Sequence, residues 1–145
     1  MVLVSACLAG YECRYDGGAN PVDTYINMVK EGHAIAVCPE KLAGMKIPRE
    51  PVEIIGGDGH DVLRGKAKVV TLEGCDRTFE MILSAEKTLQ ICRWYGIKKA
   101  YLKSKSPSCG AGKIYDGSFG SKLVDGYGVI AAILKENDVE VIEVE

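Results

Sequence analysis

Val2-Leu3-Val4-Ser5-Ala6-Cys7 is the stretch on which the fold turns. Its β-branched, apolar residues read as a short buried strand, and the cysteine falls where the strand gives way to a long polar loop. Working outward, Asn20-Pro21 reads as a helix start, with Asn as N-cap and Pro at the first helical position. Val22, Tyr25, Ile26 and Val29 keep helical spacing until Gly32. Ala34 to Val37 is a second strand, closed by Cys38-Pro39-Glu40. Strand, helix and strand in this length make one βαβ unit, which predicts parallel strands and a right-handed crossover.

The same alternation continues. Between Leu42 and Val52, Gly44, Pro48 and Pro51 stand too close together for a helix. Glu53-Ile54-Ile55 and Val69-Val70 flank a Gly-rich turn and are expected to pair as a small excursion. A long helix is expected from about Asp76 to Tyr95, with Phe79, Ile82, Leu83, Leu89 and Trp94 among its apolar positions and Gly96 as its cap. Lys99 to Leu102 makes a third strand, Ile114 to Gly120 a turn-rich loop, Gly126 to Leu134 a helix, and Val139 to Val144 a final strand. Arg14-Tyr15-Asp16-Gly17 is echoed by Ile114-Tyr115-Asp116-Gly117, two turns of similar chemistry and not a duplication. With no domain boundary, residues 1–145 predict a single α/β domain: three layers, Rossmann-like, around a mainly parallel sheet.

Bulk properties narrow the function classes. The 145 residues suffice for a core without disulfide staples. With 18 basic and 20 acidic residues, the net charge of -2 offers no general electrostatic attraction to DNA or to a membrane surface. The first apolar run is too short for a membrane span and lacks the basic start of a signal peptide, so a cytoplasmic protein is expected. In a reducing cytosol, six cysteines point to metal ligation, catalysis or plain burial, and no CxxC pair supports a zinc knuckle.

Candidate chemistry gathers at strand ends. The loop Lys103-Ser104-Lys105-Ser106-Pro107-Ser108-Cys109-Gly110 follows the third strand, as Cys7 and Cys38 follow the first and second. In a parallel sheet those carboxyl ends face one crevice, so Cys7, Cys38 and Cys109 can converge. Three thiolates suit an iron–sulfur, zinc or copper(I) centre with one position open; the alternative is three small buried residues. Cys13, six residues beyond Cys7, could replace or supplement it, whereas Cys75 and Cys92 are expected to be structural and buried. Glu40 is a candidate general base or hydrogen-bonding handle at the crevice mouth, the alternative being a solvated loop residue, and Asp16 and Arg14 stand on the same footing. Ser106 and Ser108 flank a proline that fixes their loop; their hydroxyls could meet a substrate or merely cap a turn. No histidine stands near them in the sequence, which argues against a serine hydrolase. Gly56-Gly57-Asp58-Gly59 lacks the Lys-Ser/Thr of a phosphate loop, and no helix is expected after it.

Taken together, these motifs resemble a known group. Ser5-Ala6-Cys7-Leu8-Ala9-Gly10 with Arg14-Tyr15-Asp16-Gly17, Cys38-Pro39-Glu40 with Pro48-Arg49-Glu50-Pro51, and Ser106-Pro107-Ser108-Cys109-Gly110 with Ile114-Tyr115-Asp116-Gly117 are similar, in order and spacing, to the thiouracil desulfidase family. The resemblance covers essentially the whole chain. It implies a 4Fe-4S cluster on Cys7, Cys38 and Cys109 with one iron lacking a protein ligand, and lowers the expectation that Cys13 is a ligand. The implied reaction is a non-redox desulfidation that turns a thiolated pyrimidine (thiouracil, or a related thionucleobase or nucleotide) into its oxo form and hydrosulfide. Glu40 and Ser106 would be catalytic, with Asp16 and Ser108 at the substrate. One departure is visible: the family commonly carries a Gly-Gly pair where this chain has Ala43-Gly44. A non-enzymatic sulfide or iron–sulfur carrier is the alternative function.

Overall fold

The computed structural model describes residues 1–145. In chain order its elements are β1 (Val2–Ser5), α1 (Asp23–Lys30), β2 (Ala34–Val37), α2 (Pro39–Leu42), β3 (Val52–Ile55), α3 (Gly59–Leu63) and β4 (Lys68–Thr71). Then follow α4 (Thr78–Tyr95), β5 (Lys99–Lys103), β6 (Ala111–Tyr115), β7 (Leu123–Tyr127), α5 (Val129–Glu136) and β8 (Glu140–Val144). The central sheet is four-stranded, in the order β2-β1-β5-β8, and every pair in it is parallel. The βαβ reading of the opening stretch therefore holds.

Alternation along each strand divides the sheet's two faces. Leu3, Val37, Ala100 and Leu102 join Met81 and Leu89 of α4 and Ile130 and Leu134 of α5 in the main core. On the opposite face, Ala36 and Val144 pack with Val22 and Tyr25, whose ring lies 5.3 Å from that of Tyr101. Helices thus cover both sides, which makes the three layers. The layer over the second face is thin, since α1 buries no residue completely.

Two short hairpins are added to this frame. β3 and β4 pair antiparallel, as expected for the excursion. β6 and β7 form a second antiparallel pair where a loop was expected, and Gly126 belongs to β7, not to a helix. The last long helix starts only at Val129, behind an extended Gly128. Glycines at 112, 117, 120 and 126 hide the alternation that would have marked this hairpin.

Other boundaries move for local reasons. Asn20 does not cap α1; Val22 occupies that position, and Asn20 Oδ1 instead accepts from Arg14 Nη1 at 2.8 Å. α4 turns Met81, Ala85, Leu89 and Cys92 inward, so Phe79 and Trp94 lie off the stripe and are exposed. Ser84 and Thr88 fill that stripe because their hydroxyls donate to the helix's own carbonyls, Met81 O at 3.0 Å and Ser84 O at 2.8 Å. Cys92 is buried as expected, but Cys75 precedes the helix and is exposed. The five residues of α3 do follow the glycine cluster, started by a reciprocal cap between Asp58 and Asp61. Without a Lys-Ser/Thr pair the segment is still no phosphate loop.

Candidate active site

At the carboxyl edge of the central sheet lies a cavity of about 530 Å³. Cys7, Cys13, Cys38 and Cys109 all line it, as do Glu40, Ser106 and Ser108. Parallel topology brings them together: Cys7 sits in the turn Ala6–Ala9 after β1, Cys38 caps α2 after β2, and Cys109 ends the loop after β5. Asp16 is not in the wall. Its carboxylate is used instead to close a turn, accepting from Gly18 N–H at 2.8 Å, with Arg14 Nε 3.6 Å away.

The serine loop owes its shape to the start of α5. The first N–H groups of a helix lack partners within it. Here Gly128 N donates to Gly110 O (2.8 Å), Val129 N to Pro107 O (2.9 Å) and Ile130 N to Ser108 O (2.9 Å). That approach is close: a Cβ on Gly128 would stand 2.4 Å from Ser108 O, and one on Gly110 would stand 2.6 Å from Ser106 O. Across the cavity, the carboxylate of Glu53 accepts from Gly117 N (3.0 Å) and Phe119 N (3.2 Å), pinning the β6–β7 turn to β3.

Within the loop the donor directions are settled by counting lone pairs. Ser106 Oγ accepts from the N–H groups of Ser108 and Cys109, each at 3.1 Å. A hydroxyl oxygen has two acceptor sites, so in the 2.7 Å contact with Ser108 Oγ it is Ser106 that donates. Ser108 in turn donates to Cys109 Sγ at 3.8 Å.

Each sulfur has its own surroundings. Burial pushes the Cys109 thiol up to about 12, against which hydroxyl hydrogen bonds from Ser5 and Ser108 act. Burial also raises Cys7, opposed by a hydrogen bond from Asn20, whose carbonyl is held by Arg14 so that its amide faces the thiol. Cys38 Sγ donates to Cys13 O at 3.7 Å, and the Cys13 thiol beside it lowers Cys38 while Cys13 itself is raised.

No three His, Cys, Asp or Glu side chains stand close enough together to hold a single metal ion. A four-iron cube, in contrast, takes its cysteines on separate corners. A set of cysteine sulfurs that converges on one cavity, with a hydroxyl hydrogen bond to Cys109, is the kind of donor set iron–sulfur clusters use. The residues present fit such a cluster.

Glu40 stands in the first turn of α2, and its Oε2 accepts from Arg49 Nη2 at 2.6 Å. Arg49 was not among the expected site residues, nor were Asn20, Ser5 or Glu53. The stretch Pro48-Arg49-Glu50-Pro51 was the available signal for Arg49, and an apparent N-cap disguised Asn20.

Comparison with known proteins gives the family and the fold. The chain belongs to the 2-thiouracil desulfurase family, whose sequence model matches residues 2–145. It is 47% identical over 142 residues to the uncharacterized protein YbbK of Bacillus subtilis (strain 168), covering 98% of this chain and 94% of that one. Its fold matches a solved structure of the 4Fe-4S-dependent thiouracil desulfidase TudS with a TM-score of 0.86 at 38% identity, over 98% of this chain and 89% of the other. The family resemblance read from the motifs is correct.

Proposed function

We propose that this protein is an iron–sulfur-dependent desulfidase that exchanges the thiocarbonyl sulfur of a thiolated pyrimidine for oxygen. The candidate substrates are thiouracil or a related thionucleobase or nucleotide, and the balance is thiocarbonyl plus water to carbonyl plus hydrogen sulfide, with no net electron transfer. The observation that carries this reading is the meeting of Cys7, Cys38 and Cys109 with Glu40 and Ser106 in one cavity. Family membership and the shared fold with a solved thiouracil desulfidase support it. The three cysteines would hold a 4Fe-4S cluster with one iron free of protein ligands, and that iron supplies Lewis acidity toward the thiocarbonyl sulfur.

The chain's own side chains divide the proton work. Glu40 commits Oε2 to Arg49, which leaves Oε1 to take a proton from water as its oxygen adds to the ring carbon. The same atom returns that proton to the ring nitrogen or to the departing sulfur. Ser106, with both lone pairs held by backbone N–H groups, can only donate, and its one hydroxyl proton, resting on Ser108 Oγ, would turn to the ring when substrate enters. Ser108 stays behind it, turned toward Cys109. Free cysteines suit a reducing compartment, and the cytoplasm is the proposed location. No helix is long and apolar enough to cross a membrane.

The test is anaerobic reconstitution followed by incubation with 2-thiouracil, measuring uracil and sulfide. Glu40→Gln is expected to keep the brown absorbance and lose about 100-fold or more in turnover, the scale of general acid–base catalysis. A loaded protein that turns over no thionucleobase or thionucleotide would refute the enzyme reading and leave the sulfide carrier.

A further inference from the structure

Behind Glu40 stands an arginine that never reaches the cavity. Arg49 Nη2 donates to Glu40 Oε2 at 2.6 Å and to Cys13 O at 3.1 Å. The backbone N–H of Arg49 donates to Tyr15 O at 2.8 Å. Glu40 lines the cavity and Arg49 does not. The Arg49 side chain is 7% exposed and that of Glu40 17%, so the pair is largely out of water.

Stability is a poor reason for such a pair. Desolvating two charges costs roughly what their attraction returns, and apolar residues of similar volume often do as well. Arg49 adds a further cost, because its Nε is buried with no hydrogen-bond partner. What the pair secures is geometry. One guanidinium nitrogen bridges the carboxylate after β2 and the loop after β1, while its own backbone is tied to Tyr15. The carboxylate cannot rotate without giving up that bond, so Oε1 is left as the oxygen free to act.

We propose that Arg49 is a positioning residue of the desulfuration: it holds Glu40 with Oε2 committed and Oε1 available, in register with the loop that carries Cys13. The proposal rests on Glu40 being the proton carrier. Misplacing a reacting group by about 1 Å costs about 100-fold, and that is the loss expected in kcat.

The experiment is a double-mutant cycle on the anaerobically reconstituted full chain: wild type, Arg49→Met, Glu40→Gln and the pair, with Arg49→Lys beside them. Iron and sulfide content and the visible spectrum report loading; a 2-thiouracil titration gives kcat and KM. Arg49→Met should load normally, lose about 100-fold in kcat and keep KM within about twofold. Arg49→Lys, which retains a cation beside Oε2, should recover part of the loss. In the Glu40→Gln background Arg49→Met should cost nothing more, because there is no carboxylate left to aim. Equal losses in both backgrounds, or a loss confined to KM or to cluster content, would overturn the positioning role. If Arg49→Met loads no cluster from which kcat can be read, Arg49→Lys carries the cycle: a kcat loss per cluster that vanishes in the Glu40→Gln background supports the positioning role, and no loss per cluster overturns it. A Glu40→Gln variant that turns over like wild type would sink the Glu40 reading itself, an outcome distinct from a crippled Glu40→Gln with multiplicative Arg49 effects.

Discussion

Gly128→Ala should damage the site from a distance, and the size of the effect can be worked from the packing. Gly128 has φ -65° and ψ 167°, a conformation open to alanine, so the backbone itself exacts nothing. The added Cβ would stand 2.4 Å from Ser108 O, 2.5 Å from Ser108 C and 2.8 Å from Pro107 O. These are backbone atoms of the cysteine loop, and relief means a retreat of about 1 Å. The retreat loosens the bonds by which α5 holds the loop, from Gly128 N to Gly110 O, Val129 N to Pro107 O and Ile130 N to Ser108 O. Overpacking costs about 1–3 kcal/mol. Three weakened hydrogen bonds, each contributing about 1 kcal/mol when intact, set a similar bound. Alanine recovers about 0.4–1 kcal/mol by restricting the unfolded chain, so the net loss should be about 2 kcal/mol. For a domain of this size that lowers Tm by roughly 6–8 °C. Thermal unfolding of the cluster-free protein measures it, and iron content after reconstitution should fall as Cys109 shifts. Gly112→Ala is the control, because its Cβ would meet only the end of the Glu143 side chain, at 3.2 Å. A Gly128→Ala protein with wild-type Tm and full iron content would refute the claim that α5 sets the loop.

Two further outcomes follow from the cysteines. Cys7→Ala, Cys38→Ala and Cys109→Ala should each abolish the broad visible band after anaerobic reconstitution, while Cys75→Ala and Cys92→Ala keep it; full iron and sulfide content in any of the first three removes that residue from the ligand set. The second is a pH effect away from the cavity wall. Burial raises the Cys92 thiol to about 11 in the folded protein, above the 9.0 of an exposed thiol. Between those values the folded chain holds a proton that the unfolded chain has released, so this contribution is complete below pH 9 and lost as pH rises toward 11. Urea midpoints of the cluster-free protein should therefore fall across that window, and fall less steeply in Cys92→Ala; equal slopes would mean the thiol does not titrate with folding.

The parallel frame was legible because its signals are local. Val2-Leu3-Val4-Ser5, Ala34 to Val37 and Lys99 to Leu102 are short, mainly apolar runs each followed by a small or polar residue, and a βαβ unit has one handedness. The β6–β7 pair was not legible, because glycines and Asp125 stand where strand formers would, and the pairing depends on cross-strand contacts rather than on composition. Helix ends misled for a related reason. Asn20 has the chemistry of a cap, but its carbonyl is taken by Arg14, a partner that only the folded loop brings within 2.8 Å.

The site divides along the same line. Three sulfurs at three strand ends could be placed together from topology alone, since parallel strands deliver their carboxyl ends to one edge. The groups that set the character of those sulfurs could not be placed that way. Cys109 takes a hydroxyl hydrogen bond from Ser108, its neighbour, and is lowered also by Ser5, a strand away; Asn20 acts on Cys7, and Cys38 donates to the carbonyl of Cys13. Only the Ser108 contact is local in sequence. Asp16 fails for the converse reason: a short carboxylate two residues before a glycine finds a backbone N–H more readily than it reaches a distant cavity, and the turn it closes claims it first. Arg49 is the hardest case, since nothing in Pro48-Arg49-Glu50-Pro51 says which carboxylate it meets. That choice is made by the loop after β1, which offers Cys13 O and Tyr15 O to the same residue and so leaves its remaining reach toward Glu40. The positions of the sulfurs are thus a property of the strand order, whereas their chemistry is a property of how the loops pack against each other.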